Sequence, residues 1–296
     1  MIDFVHSPTL TVGFAHKAYQ LRDEFLARGQ PLESFEVRTL DDLEQRIADA
    51  EVLVISGLWQ NELVKHAPKL RLIQSISAGT DQFSRAVLRE RGIRLASAQG
   101  TNEVAVAEHA IALMLALTRY LHLARDFQAQ QYWRPMIGDR ARREDELDGK
   151  TLLIVGLGRI GRRLAHLANA FGMSVIGVKR EPASVPGVAR LVGPAQLLDI
   201  LPEADFVALT CPLTSETEGL IGASTLAAMR PSAHLINVAR GRVIDEATSE
   251  LWRFPNVLVT PHSAGETRRY ETRIVDLLLE NIARFKAGSA LLNEVA

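Results

Sequence analysis

Cysteine is almost missing from this chain. Cys211 is its only one, so an internal disulfide framework is excluded. That usage fits a reducing compartment. Met1–Leu10 carries an acid at Asp3 and no apolar leader core, so a cytoplasmic location is expected. An excess of either charge is missing too. The formal net charge is −1 and gives no electrostatic reason to expect a nucleic-acid partner. Long hydrophobic runs are equally absent. Val104–Leu117 is the greasiest stretch, but Glu108 and His109 interrupt it, and Ala110–Leu117 alone is far short of a bilayer span. No membrane association, low-complexity tract, short-period repeat or metal site is expected.

What the chain does have is apolar substance: 47% hydrophobic residues in 296, enough for a large core divided between two domains. Its organising stretch is Thr151–Gly161, TLLIVGLGRIG. Thr151–Val155 is a short apolar run suited to one buried strand. It leads straight into Gly156-Leu157-Gly158-Arg159-Ile160-Gly161, a full G-x-G-x-x-G. Leu164, Leu167, Ala168 and Phe171 then recur at helical spacing until Gly172 stops the helix. A dinucleotide site needs that order of strand, glycine turn and helix. Gly156 permits the tight turn, Gly158 lets a pyrophosphate approach the backbone, and Gly161 lets helix and strand pack. The helix start offers unpaired N–H groups and a partial positive charge to the phosphates.

Before this stretch, strands are expected at Leu10–Phe14, Ser34–Arg38, Glu51–Ser56, Leu70–Ile76 and Ile93–Ala96. Helical segments fall between them, at His16–Arg28, Leu40–Ala50, Asn61–His66 and Gln82–Arg91. Repeated β-α-β-α with short apolar strands predicts a parallel sheet covered on both faces. Thr101–Gln131 reads as one long helix leading into the next domain. The second series has strands at Thr151–Val155, Ser174–Val178, Ala189–Val192, Asp205–Leu209, His234–Val238 and Asn256–Thr260. Its helices are expected at Arg159–Phe171, Pro194–Leu201 and Ala223–Met229. Six strands is the count of a doubly wound dinucleotide fold. A closing helix near Gly265–Lys286 is expected to return to the first domain. The expectation is an α/β protein of two doubly wound parallel-sheet domains, Rossmann-type for the cofactor and flavodoxin-like for the substrate. Residues 101–266 form the dinucleotide-binding domain; residues 1–100 and 267–296 form a discontinuous substrate-binding domain.

Six motifs in order then resemble one family: SAGTD (Ser77–Asp81), GTNEVAVAEHAIALML (Gly100–Leu115), GLGRIG (Gly156–Gly161), CPLTSETEGLI (Cys211–Ile221), INVARG (Ile236–Gly241) and TPHSAG (Thr260–Gly265). The chain resembles the D-isomer-specific 2-hydroxyacid dehydrogenases, the family of phosphoglycerate dehydrogenase and glyoxylate/hydroxypyruvate reductase. The resemblance implies NAD(P)-dependent interconversion of a 2-oxo acid and a D-2-hydroxy acid by hydride transfer. It implies a site in a cleft between two hinged domains, and a homodimer built around the long inter-domain helix.

Residue chemistry agrees with that family. Arg240 follows the apolar strand LINV, at the strand end where open α/β sheets place ligands, and a guanidinium fork suits a carboxylate. His262 follows VLVT and Pro261, and histidine is the side chain best suited to pass a proton near neutral pH. By resemblance, Arg240 clamps substrate, His262 protonates the carbonyl oxygen, and the N–H groups of Ala78 and Gly79 hold the substrate carboxylate. Cofactor contacts extend by the same route to Gly156, Gly158, Arg159, Ile160, Gly161, Pro212, Val238 and Ala239. His109 reads as a packed, satisfied histidine. Trp133 and Arg134 are either cleft-lining residues or plain packing.

Cofactor choice turns on the end of the second strand. The family's usual acid position falls on Lys179, 18 positions after Gly161, with Arg180 beside it. Two cations suit a 2′-phosphate, so NADP is favoured over NAD, with Glu181 as the acid that would reverse the choice. The chain also departs from its family. Arg240 and His262 are 22 positions apart. The family carries a further helix and strand there, on the order of thirty residues, about one β-α unit. That segment holds the Glu that pairs with the catalytic histidine and an Asp near the nicotinamide. The join falls near Ala247–Ser249, where a gap in the printed chain is expected, and neither Glu246 nor Glu250 matches the family position. If the segment is truly absent, the alternative is a catalytically impaired, dinucleotide-sensing binding protein of co-repressor type.

Overall fold

A computed structural model describes residues 10–181, 183–245 and 257–296. The chain divides into two compact units, Met1–Asn102 with Glu266–Ala296, and Glu103–Gly265.

The first unit is built on a five-stranded parallel sheet. Its strands are β1 (Val12–Ala15), β2 (Ser34–Val37), β3 (Val52–Ile55), β4 (Leu72–Ser75) and β5 (Arg94–Ala96), in the order β2-β1-β3-β4-β5. Every residue of β1, β3 and β4 is buried, as a sheet covered on both faces requires. Helices α1 (Leu21–Ala27), α2 (Leu40–Arg46) and α3 (Arg85–Glu90) lie between the strands. Leu43 and Leu88 of α2 and α3 join the cluster with Leu53 and Ile73. Leu21 and Phe25 of α1 join Val54 and Leu72 in another, together with Ile274 and Leu278 from the chain's last helix. The first helix begins later than its periodicity suggests, because the His16 ring accepts hydrogen bonds from the Ala18 and Tyr19 N–H groups (3.0 Å each) and holds them in a turn. Thr39 caps α2, accepting from the Asp42 N–H.

The second unit opens with α4 (Glu103–Thr118) and α5 (Leu121–Ala129), which bend by 67°. The single long helix expected here is therefore two. Tyr120 takes a left-handed φ of 49°. The carbonyls at the end of α4 are captured from outside: Thr118 accepts from the Asp145 N–H and Ala116 bonds the His122 ring. The Thr118 hydroxyl donates back to Met114, a bond that bends helices. No glycine or proline marks the break, so periodicity alone runs through it. Among the described residues no single helix is long and apolar enough to cross a membrane.

The second sheet follows: β6 (Thr151–Val155), β7 (Ser174–Val178), β8 (Arg190–Val192), β9 (Phe206–Leu209) and β10 (His234–Asn237), all parallel, in the order β10-β9-β6-β7-β8. Helices α6 (Arg159–Ala170), α7 (Leu197–Ile200) and α8 (Ala223–Ala228) connect them. Among the described residues this sheet has five strands, not the six expected. Val257–Thr260 forms no strand, and Val257, Leu258 and Val259 are 36–40% exposed. Gly219 and Ile221 take their backbone partners from Arg242 and Val243, and Asp245 donates to Ile221. The expected gap near Ala247–Ser249, with Glu246 and Glu250, lies outside the described residues. The last helix, α9 (Tyr270–Lys286), belongs to the first unit.

Candidate active site

In the second unit the order reverses between β6 and β9, and ligands of open α/β sheets bind at such a switch point, beyond the carboxyl ends of the strands. Val155, Val178, Leu209 and Asn237 end their strands in register. The loops that follow them are therefore neighbours: the glycine loop after β6, Lys179-Arg180 after β7, Thr210-Cys211-Pro212 after β9, and Val238-Ala239-Arg240 after β10.

Each glycine has its own reason. Gly156 has φ +98°, and a Cβ there would sit 2.7 Å from the Cys211 backbone. A Cβ on Gly161 would lie 2.2 Å from the Gly156 carbonyl oxygen, so α6 packs against the turn only through a glycine. Gly158 is different: its missing Cβ looks onto open space. The fold does not need glycine there, whereas a group approaching the backbone does. Gly158 also precedes α6, and the first-turn N–H groups of Arg159, Ile160 and Gly161 have no intrahelical acceptor. Open space above a small residue and a helix start fit a pyrophosphate.

Sequence reasoning missed two residues of this edge. The Thr210 hydroxyl donates to the Gly156 carbonyl at 2.5 Å and locks the turn. Asn237 holds the next loop, receiving the Ala239 N–H (3.0 Å) and donating to the Arg240 carbonyl (2.9 Å). A hydroxyl or amide just past an apolar strand is the signal, since such side chains bond the backbone a few residues on. Arg240 is half-buried, with its guanidinium donating to the Ala239 carbonyl. Burial pushes the Cys211 thiol above its ordinary range, so that side chain stays a neutral packing group.

His262 is exposed and forms no hydrogen bond or ion pair among the described residues. Two residues before it, the Thr260 hydroxyl bonds the ring of His109 on α4 (3.2 Å), so His109 anchors the histidine-bearing segment. Lys179 is half-buried with its N–H on the Val192 carbonyl, while Arg180 is exposed and 3.8 Å from Glu216. Glu181 is exposed and no side-chain partner fixes it among the described residues. Trp133 and Arg134 lie beside α5 in a cavity shared with Arg119, Phe127 and Glu144.

In the first unit, Ser77–Thr80 follows β4 at the same kind of strand end. The Ser75 hydroxyl takes the Ser77 N–H and donates to the Ser77 carbonyl (3.1 Å each), and the Ala98 N–H also reaches that carbonyl (3.0 Å). Beyond this anchor, the N–H groups of Ala78 and Gly79 have no acceptor among the described residues. Two adjacent free N–H groups on a half-buried turn are suited to an anion.

Comparison with known proteins agrees with these features. Residues 111–248 match the family described as D-isomer specific 2-hydroxyacid dehydrogenase, NAD binding domain. A glyoxylate reductase of Thermococcus litoralis is 31% identical over 280 residues, covering 82% of each chain. A D-3-phosphoglycerate dehydrogenase of Methanocaldococcus jannaschii is 31% identical over 289 residues, covering 87% of this chain and 54% of that one. The chain thus spans about half of that second relative. A solved D-isomer specific 2-hydroxyacid dehydrogenase family protein of Aeromonas salmonicida superposes with a TM-score of 0.84 at 26% identity, over 98% of this chain and 99% of the other.

Proposed function

The chain belongs to the D-isomer specific 2-hydroxyacid dehydrogenase family, and from that premise we propose that it reduces a small 2-oxo acid to the D-2-hydroxy acid with a nicotinamide dinucleotide. One observation carries the reading: a single sheet edge holds the glycine loop, with open space above Gly158, and Arg240 two strands away. The bound cofactor supplies the hydride. The chain's own residues do the rest. Ala78 and Gly79 accept the substrate carboxylate on their N–H groups. Arg240 grips carboxylate and carbonyl with its fork of donors. His262 gives its proton to the carbonyl oxygen as the carbon is reduced. Gly156, Gly158, Arg159, Ile160, Gly161, Pro212, Val238 and Ala239 line the cofactor. Residues 101–266 serve as the cofactor domain; residues 1–100 and 267–296 serve the substrate.

NADP is the preferred cofactor. Lys179 and Arg180 directly follow the second strand of the dinucleotide sheet, and Glu181 comes next after the pair. The protein works in the cytoplasm as a homodimer, without nucleic-acid or membrane partners. Support for the dimer comes from α5 and the segment after it: no residue of α5 is buried, and Trp133 and Met136 are 94% and 97% exposed. A second copy covers them.

The match to the family's NAD binding domain stops at residue 248, beside the short link to His262. That favours a second reading, a catalytically impaired dinucleotide-sensing protein of co-repressor type. A panel of 2-oxo acids assayed with NADPH and NADH separates the two. Turnover on at least one acid, faster with NADPH and switched to NADH by Lys179→Asp with Arg180→Ser, supports the reductase. Tight dinucleotide binding with no turnover on any acid supports the sensor.

A further inference from the structure

Behind the Ser77–Thr80 turn runs a line of side chains that the functional reading leaves unused. Gln82 donates from Nε2 to the Ser56 hydroxyl at 3.0 Å, and the Ser56 and Ser77 hydroxyls lie 2.7 Å apart. Gln82 is itself fixed. Its carbonyl accepts from Asn61 Nδ2 (3.3 Å), and Asn61 Oδ1 is held by the Trp59 indole N–H (3.1 Å) and the Ser84 N–H (2.8 Å).

The direction of the line follows from counting hydrogens. A serine hydroxyl has one to donate. Ser56 already accepts from Gln82 and is only 8% exposed. The acceptor its hydrogen meets among the described residues is the Ser77 oxygen, so Ser56 donates to Ser77. The opposite direction would leave a buried hydroxyl hydrogen unpaired, which is costly. The Ser77 backbone is pinned by Ser75 and Ala98 and cannot swing away. Its own hydroxyl hydrogen is therefore left over, on the residue that directly precedes Ala78 and Gly79 in the turn.

We propose that Gln82 and Ser56 are positioning residues that turn the Ser77 hydroxyl into a third donor for the anion bound by Ala78 and Gly79. This rests on the reading of that turn as the carboxylate cradle. Each link polarises the next, so the last O–H is a stronger donor than an isolated serine.

The test is a cycle of variants, read by steady-state kinetics on the best 2-oxo acid and by calorimetric binding of oxalate to the cofactor-loaded protein. Ser77→Ala should raise KM and weaken oxalate on the order of 10-fold, with kcat and cofactor affinity nearly unchanged, because a hydrogen bond to a charged group is lost. Ser77→Thr keeps the hydroxyl and should restore both. Gln82→Ala and Ser56→Ala should each raise KM by roughly 3-fold in the natural background and add nothing once Ser77 is alanine. A scaffold role would instead act equally in both backgrounds. Additive effects, or a Ser77→Ala variant with unchanged oxalate affinity, overturn the relay while leaving the reductase intact. Coupled losses of oxalate binding without turnover on any acid uphold the relay and refute the reductase. Failure of the natural protein both to turn over and to bind oxalate refutes both.

Discussion

The two sheets have the same strand number and the same parallel pairing, yet their edges are finished differently. In the first unit the outer strand β5 is closed by a segment distant in sequence. Val295 donates to Leu95, Leu95 donates to Ala296 (2.8 Å each), and Glu294 bridges Ala96 antiparallel. Asn281 on α9 holds that segment from behind, taking the Leu292 N–H at 2.7 Å and donating to Gln74 Oε1 at 2.8 Å. In the second unit β10 is an outer strand among the described residues. Among the described residues it pairs with β9 alone, three of its four residues are half-exposed, and the apolar Val257–Val259 stays in contact with solvent. The comparison teaches that apolar runs specify the middle of a parallel sheet, while an edge is specified by whichever remote segment reaches it.

The largest expected effect breaks the second unit's chemistry. His262→Ala should lower turnover about 10²–10⁴-fold with little change in cofactor affinity, the ordinary loss for a general acid. Arg240→Ala should weaken substrate binding and turnover together. Full activity in either variant on the best 2-oxo acid would remove its assigned role.

Next comes the glycine loop, where two alanines sharpen the contrast between fold and function. Gly161→Ala forces a Cβ against the Gly156 carbonyl oxygen and should destabilise the unit by about 1–3 kcal/mol. Gly158→Ala meets no protein atom within 4 Å, so the melting temperature should hold while dinucleotide affinity falls. If both variants melt alike and bind alike, the division of roles among the glycines is wrong.

Asn281→Ala tests the first unit's edge. It leaves a buried glutamine oxygen and a backbone N–H without their partner, at about 1–3 kcal/mol each at most. Urea unfolding should show that loss, and hydrogen exchange should quicken first at Leu95.

The smallest effect is on pH. A hydrogen bond from Arg94 holds the Glu294 carboxyl below the usual carboxylate range. A group depressed in the folded state contributes stability above its unfolded value, and the contribution fades as pH falls through the folded one. Acid should therefore lower the protection of the closing segment, measured as exchange relative to the intrinsic rate at each pH, and Arg94→Met should abolish that pH dependence.

Much of this was legible in the residues. The ten remaining expected strands and the glycine turn rest on local patterns: short apolar runs of three to five residues, and glycines where a Cβ has no room. The Thr118–Tyr120 break was not, because its cause is the Asp145 N–H, 27 positions away from Thr118. Nor was the loss of the sixth strand, since VLVT reads as a strand wherever it stands, whereas Val257–Val259 pairs with no strand among the described residues and stays 36–40% exposed. At the candidate site, Arg240 and the glycines announce themselves by residue type. Thr210 and the Ser56–Gln82 line do not, because their roles lie in bonds that cross between loops. Nor does Asn237, because an amide ending an apolar strand shows its role only once the loop it folds back on is seen.

The central claim is hydride transfer to a 2-oxo acid, and the most direct test follows the hydrogen itself. Reduced nicotinamide dinucleotide carrying deuterium at its transferable position is incubated with the protein and the best acid of the panel, and the product is examined by chiral separation and mass. The account predicts the D-2-hydroxy acid with one deuterium on the former carbonyl carbon. An unlabelled product, the L-isomer, or no product from any acid would contradict it.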